Sequence, residues 1–521
     1  MTLYGGGAAL NMANGVREFA QSCPDRAAVV DGSRTLTYRA LDDRANRLAC
    51  ALLDCGLSPG DPVAVLLPNC LEFPEIATGL ARAGLPMVPL DPRQTAAETE
   101  WIVRHSGARA LVLDDALAGL AAGVADVAAP GGGSAGVDVV LSLRGTTAGP
   151  AYEGVLAGAR AVDPHVPVGD LDIFGIQYTS GTTGNPKGVL VTHRSRVLQA
   201  YLAALEWGLG AGRASIAVAP MYHGAGFLFG FAPVLTGGTV SMLPRWDPEE
   251  MLAMTERVGA QSVFLVPTHA QTIRALGEDV LGRHDLSTLD TLYFNVAALP
   301  VALKQWVMDA FPKCGVHELY GSTEAGVVTN LRPEHAAGKW GSVGHAWYMT
   351  EVRLVGDDGL PVGPGEPGEL FSRSPFLMQG YLGDPAATTA CTTDDGFLTC
   401  GDIAVADDEG FLSIVDRKKD MIISGGVDIY PREIEEAVAT HPAVAEAAVV
   451  GAPDETWGER IVAYVVLRPG GVLDATALDE YLRPRVASYK LPRELHLIDA
   501  LPRNAAGKVL KRALQNSGQK A

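Results

Sequence analysis

The chain lacks any pattern of paired cysteines. Its seven cysteines, Cys23, Cys50, Cys55, Cys70, Cys314, Cys391 and Cys400, stand singly, without Cys-x-x-Cys and without zinc-ligand spacing. This excludes a disulfide framework and a structural zinc module, and it points to reduced thiols in a cytoplasmic protein. Positive charge is also scarce. The 41 Lys and Arg are outnumbered by 60 Asp and Glu, for a net charge of −19, which disfavours nucleic acid and anionic membranes as general partners. No basic, apolar leader opens the sequence, so no signal peptide is expected. Internal repeats and low-complexity tails are absent too. Ala214 to Pro244 carries no Asp, Glu, Lys or Arg, yet Pro220, His223, Pro233 and the pair Gly237-Gly238 interrupt it. It reads as strand, helix and strand of a buried α/β core, and no membrane span is expected.

The 521 residues are 47% hydrophobic, enough for more than one globular domain with a large core. Short apolar runs at Val63–Leu67, Met87–Leu90 and Ala110–Leu113 read as strands. Thr95-Ala-Ala-Glu98 opens a helix between the last two, in the manner of a capping box. This βαβ rhythm predicts a mostly parallel sheet. The Gly-, Ala- and Pro-rich stretch from about Gly145 to Asp170 reads as connector. A boundary is expected near Asp416–Asp420. Beyond it Pro431–Val438 and Ala475–Arg483 read as helices, and Val444–Val450, Ile461–Leu467 and Glu494–Ile498 as strands. The expected architecture is α/β: a large N-terminal domain, 1–418, of mixed and mostly parallel sheets with flanking helices, and a small α+β domain, 419–521.

Asp172–Tyr178 reads as a buried strand that leads into Thr179-Ser-Gly-Thr-Thr-Gly-Asn-Pro-Lys-Gly188. Such a loop can wrap N–H groups and hydroxyls around a phosphate chain, and Lys187 adds a point charge. It is not a Walker A loop, because Lys187 is followed by Gly188-Val189 and no magnesium-binding hydroxyl succeeds it. Three further signatures follow in order: Tyr320-Gly-Ser-Thr-Glu324; Gly401-Asp402 leading to Asp416-Arg-Lys-Lys-Asp420; and Pro502-Arg-Asn-Ala-Ala-Gly-Lys508. From about Thr37 to Leu514 the chain resembles the adenylate-forming enzymes, that is, acyl-CoA synthetases, peptide-synthetase adenylation domains and luciferases. In its motifs it is most similar to bacterial aryl- and acyl-CoA ligases.

The resemblance implies an AMP-forming acid ligase that uses ATP and Mg²⁺. A carboxylate attacks the α-phosphate and expels pyrophosphate, so positive charge and donors must screen two anions. By this likeness Thr179, Ser180, Gly181, Thr182, Thr183 and Lys187 hold the β- and γ-phosphates. Thr323 touches the α-phosphate and Glu324 places the metal. Tyr320 flanks adenine, Asp402 accepts the ribose hydroxyls, and Arg417 supports the ribose and phosphate side. Lys508 enters from the small domain, which the family rotates, to bridge carboxylate and phosphate, and Lys419 serves as the hinge. His223 stands beside the acyl carbonyl. Phe227, Asn295, Val296, Ala297, Ala298 and Gly321 wall the acid pocket. Leu299 departs from the family pattern there, and Cys400 stands where a threonine is usual. No Lys or Arg occurs in these pocket stretches, which favours a monocarboxylic acid with an apolar or aromatic body.

For the second half-reaction the resemblance implies coenzyme A. Gly425 and Gly426 match a pantetheine-tunnel loop, while Trp457, Tyr489 and Arg493 match contacts to the CoA nucleotide. Leu491 replaces a basic residue found in at least one such ligase. The same scaffold also serves amide synthetases, which pass the acyl group to an amine, and ligases that load a carrier protein, which is expected to act in trans. The expected partners are therefore a small carboxylic acid with CoA, an amine or a carrier, acted on by a monomer or homodimer.

Overall fold

The capping box at Thr95 forms. Thr95 Oγ1 accepts the N–H of Glu98, and the Glu98 carboxylate accepts the N–H of Thr95 at 2.8 Å. The helix it starts, Ala96–Ser106, ends on Gly107 in the left-handed conformation and returns the chain to strand Ala110–Asp114. The protein is described from a computed structural model covering residues 9–125, 137–179, 186–424, 427–454, 457–503 and 509–517.

Two large sheets dominate. One runs in the order 380–381, 187–192, 173–179, 87–89, 63–66, 110–114, 139–143. It is parallel from 173–179 onward and antiparallel at the other edge. The other has nine strands in the order 345–346, 326–331, 315–322, 291–294, 262–265, 214–217, 239–242, 27–31, 34–37. Its central strands, from 315–322 to 27–31, are parallel. The parallel strands are short and apolar on both faces because helices cover both faces. Helices Glu72–Ala83 and Gly224–Thr236 are buried almost throughout. Their Phe73, Ile76, Phe227 and Phe231 share one core with Val65 and Phe174 of one sheet and Val29 and Val240 of the other. The strand–helix–strand reading of Ala214–Pro244 holds.

The stretch from Gly145 to Asp170 is more than connector. It contains helix Tyr152–Gly158, whose Tyr152 is buried and donates its hydroxyl to Glu75 at 2.5 Å. Glu75 lies inside the wholly buried helix and also pairs with Arg44 at 2.5 Å. A buried carboxylate needs such partners, and no local pattern in the connector announces that demand.

A four-stranded antiparallel sheet, 351–355, 368–373, 398–406 and 412–417, follows. The turn at 418–420 then leads into a sheet built from 422–424, 427–429, 444–454, 458–467 and 494–497. Helices Pro431–Ala439 and Ala475–Leu482 close its own core of Ile422, Ile434, Val449, Val465 and Leu478. The mixed α/β body and small α+β unit match the expected architecture. Among the described residues no helix is long and apolar enough to cross a membrane.

Candidate active site

Several of the candidate residues lie on strands of the two large sheets and of the antiparallel sheet. Strands Ile173–Thr179 and Lys187–Thr192 pair antiparallel, with Thr179 opposite Lys187. Ser180, Gly181, Thr182 and Thr183 lie outside the described residues. Strand Gly380–Tyr381 adds to this hairpin and sets Tyr381 opposite Val189. Lys187 Nζ thereby lies 4.7 Å from the centroid of the Tyr381 ring. The Tyr381 hydroxyl donates to Glu324 Oε1 at 3.0 Å. Burial first, and then the Glu324 charge, push the Tyr381 phenol upward, so it stays a donor. A cleft of about 220 Å³ opens beside this group, lined in part by Trp101, His105, Lys187 and Tyr381.

The Tyr320–Glu324 signature sits at the end of central strand Gly315–Ser322. A bulge falls between Tyr320 and Gly321. A Cβ on Gly321 would stand 2.2 Å from the carbonyl oxygen of Gly326, so only glycine lets the hairpin close. The Tyr320 hydroxyl donates to Asp402 Oδ2 at 2.6 Å, and Arg417 Nε meets Asp402 Oδ1 at 2.8 Å. Asp402 and Arg417 face each other across their own ladder. Burial and the neighbouring Asp402 charge hold Tyr320 protonated. Burial opposes the Arg417 charge most strongly, but Asp402, Cys400, Tyr320 and Asp420 together more than offset it. Cys400 Sγ lies 3.0 Å from Ser322 Oγ, and burial pushes the thiol up, leaving it unreactive.

His223 precedes helix Gly224–Thr236. Its Nε2 is buried with no hydrogen bond among the described residues, 3.7 Å from Asp91 Oδ2. Burial lowers its pKa against the pull of Asp91, so the ring is neutral at neutral pH. A Cβ on Gly224 would sit 3.0 Å from Gln177 Oε1, 3.4 Å from Thr323 Oγ1 and 3.6 Å from a terminal nitrogen of Arg196. The helix start, Thr323 and two buried polar side chains therefore converge on one spot.

The acid-pocket candidates divide. Asn295 and Val296 are half-buried, and Ala297 and Ala298 are exposed. Val296 holds φ of 79°, strained for a β-branched residue, with its N–H donating to Asn295 Oδ1 at 2.6 Å. Leu299, the departure from the family pattern, is buried in a core away from this loop's exposed face. Its N–H donates to Glu318, which pairs with Lys304 at 3.2 Å. Phe227 is fully buried, stacked on Phe231 and against Phe73 and Phe174. It therefore belongs to the core, not to a pocket surface as expected, and has no surface facing open space.

In the small unit, Trp457 and Tyr489 are exposed. The Arg493 guanidinium lies 4.5 Å from the centroid of the Trp457 ring. Lys419 is exposed in the 418–420 turn, and its neighbour Lys418 donates its N–H to Gly401 at 2.8 Å. Gly425, Gly426 and Lys508 lie outside the described residues. Among the described residues no cluster of three His, Cys, Asp or Glu side chains could hold a metal by itself.

Sequence reading missed Tyr381, Gln177 and Arg196. Tyr381 had no signal beyond a lone Gly-Tyr. Arg196 had none either, since its neighbours Ser195 and Gln199 are polar in sequence yet buried in the fold.

The AMP-binding enzyme family matches residues 16–382, and the AMP-binding enzyme C-terminal domain matches 433–508. The chain belongs to the adenylate-forming, AMP-binding enzymes. A feruloyl-CoA synthase from Amycolatopsis is 37% identical over 499 residues, covering 94% of this chain and 96% of that protein. A 2-succinylbenzoate–CoA ligase from Geobacillus kaustophilus is 34% identical over 97% of each chain. Among solved structures, the amide bond synthetase McbA from Marinactinospora thermotolerans superposes with a TM-score of 0.86 at 28% identity, over 97% of this chain and 99% of that one. The names of these three proteins include two of the three expected acceptor chemistries, CoA and an amine.

Proposed function

We propose that this enzyme activates a monocarboxylic acid, aryl or medium to long acyl, as an acyl-adenylate and transfers the acyl group to coenzyme A. One observation carries the reading: two polar groups, Lys187–Tyr381–Glu324 and Tyr320–Asp402–Arg417, are joined through Cys400, which feels the charges of both Glu324 and Asp402. In the first step an oxygen of the acid's carboxylate bonds to the α-phosphorus, and the bond to the bridging oxygen breaks to release pyrophosphate. Lys187 and the Thr179–Thr183 segment hold the leaving phosphates, and Thr323 holds the α-phosphate. Tyr320 flanks adenine, while each Asp402 oxygen keeps a lone pair for a ribose hydroxyl beyond its bonds to Tyr320 and Arg417. Neutral His223 orients the acyl oxygen. Lys508 neutralises the meeting anions when the small domain, 419–521, closes on the large one, 1–418, about the Lys419 hinge. A lone carboxylate, Glu324, fits Mg²⁺, which takes most ligands from phosphates and water and when bound neutralises phosphate charge.

In the second step the CoA sulfur bonds to the acyl carbon and AMP leaves. The exposed Trp457 with Arg493 beside its ring offers stacking and a cation, as an adenine nucleotide requires, with Tyr489 nearby in sequence. Gly425 and Gly426, by the family likeness, are the residues assigned to the pantetheine path. The likeness to an amide bond synthetase favours an amine as the second acceptor to test, and a carrier-protein thiol is the third. Exchange of labelled pyrophosphate into ATP over a panel of aryl and fatty acids tests the first step. Acid-dependent exchange is expected, and Lys508→Ala abolishes it while sparing transfer from preformed acyl-adenylate. Absence of exchange with every acid overturns the reading.

A further inference from the structure

Arg196 is 3% exposed, and no carboxylate faces it among the described residues. Its one hydrogen bond there is from a terminal nitrogen to Gln177 Oε1 at 2.5 Å, and its Nε is buried without a partner. A buried guanidinium is normally paired, because an unpaired charge in low dielectric is costly. Burial alone pulls the Arg196 pKa down to about 10, which still leaves it charged at neutral pH. The charge is therefore maintained at a cost to stability.

What it faces is the start of helix Gly224–Thr236. That helix has no acidic residue in its first turn and no side-chain cap, so its N-terminal N–H groups and dipole are uncompensated. Gly224 keeps the approach open, since a Cβ there would lie 3.6 Å from Arg196 and 3.4 Å from Thr323 Oγ1. Asp91, 3.7 Å from the His223 ring that precedes this helix, is held by Arg93 at 3.2 Å. An anion seated against Gly224 would meet a helix N-terminus on one side and a buried cation on the other.

We infer that Arg196 and the N-terminal turn at Gly224 form a resident anion pocket that captures the reacting carboxylate of the acid, with Gln177 orienting the guanidinium. The inference rests on the adenylation reading and adds to it a division of labour. The large domain holds the acid as an anion in every pose. Lys508 is needed only for the chemical step.

The test measures pyrophosphate release by wild type, Arg196→Lys, Arg196→Met and Gly224→Ala. It uses the acid that the panel shows to be turned over fastest, with the primary amide of that acid as a neutral competitive inhibitor. A charge-assisted contact of this kind corresponds to about tenfold or more in binding. Arg196→Met should raise the acid KM by about that factor while the ATP KM and the amide Ki stay within about threefold of wild type. Arg196→Lys should recover most of the loss. Gly224→Ala, which fills the gap but keeps the charge, should raise the acid KM as well. The melting temperature of Arg196→Met should not fall, because an unpaired buried charge is removed. An unchanged acid KM in Arg196→Met, or equal losses for acid and amide, overturns the inference. If wild type releases no pyrophosphate with any acid, the adenylation reading falls and takes the inference with it. Wild-type turnover with an indifferent Arg196→Met sinks the inference alone.

Discussion

Tyr381 ties together two residues that lie 137 positions apart in the chain, Lys187 under its ring and Glu324 at its hydroxyl. Tyr381→Phe keeps the ring face for the cation and deletes only the hydrogen bond to the carboxylate. A hydrogen bond to a charged group contributes about 1.5–3 kcal/mol. The variant should therefore lose about tenfold or more in kcat/KM for ATP, with the magnesium requirement raised. Unchanged ATP and magnesium dependence would show that Tyr381 only fills space. The candidate residues Lys187, Tyr320, Thr323, Glu324, Asp402 and Arg417 were legible because they stand in short motif runs that occur in a fixed order along the chain. Tyr381, Gln177 and Arg196 were not, because each acts through a partner distant in sequence. Phe227 marks the converse limit. Its apolar neighbourhood was legible, but whether a phenylalanine on a helix faces a pocket or a core depends on what packs against it, here Phe73 and Phe174.

At the scale of elements, the strand–helix alternation was legible because apolar period and capping chemistry are local. The capping box at Thr95 and the proline-led helix at Pro431 are both formed where expected. Helix Tyr152–Gly158 was not legible, since its stabilisation comes from the buried Glu75 of another helix. The 418–420 turn is the element on which the two-step account depends. It links strand Leu412–Arg417 to strand Ile422–Ser424 and is braced by Lys418 to Gly401 and by Asp420 to Arg417 at 2.9 Å. Proline fixes φ near −65°, so Lys419→Pro should leave pyrophosphate exchange near wild type and suppress thioester formation about a hundredfold, as expected when one pose becomes inaccessible. Thioester formation at the wild-type rate would remove the hinge from the mechanism.

The whole molecule should be labile to mild acid. His193 joins strand, helix and chain start, accepting the N–H of Met12 on Nδ1 at 3.2 Å while almost wholly buried. Burial lowers its pKa to about 4, and burial does the same to His269. Because the folded value lies below the unfolded one, near 6.5, the unfolded chain takes up the proton first as pH falls. Stability is thus full above about pH 6.5 and lost as pH falls toward about 4, by about 3 kcal/mol for His193 alone. His193→Asn keeps an acceptor without a titrating ring. Its melting temperature should decline less steeply between those pH values than that of wild type, and parallel curves would rule this site out. The account's central claim concerns what the assembled molecule makes. Its most direct test is mass spectrometry of all products from ATP, magnesium, an acid library and, in parallel vessels, CoA or a simple amine. The account predicts AMP and pyrophosphate in every productive vessel, with an acyl thioester wherever CoA is present. ADP as the nucleotide product, or an amide formed without any thioester in the CoA vessel, would contradict it.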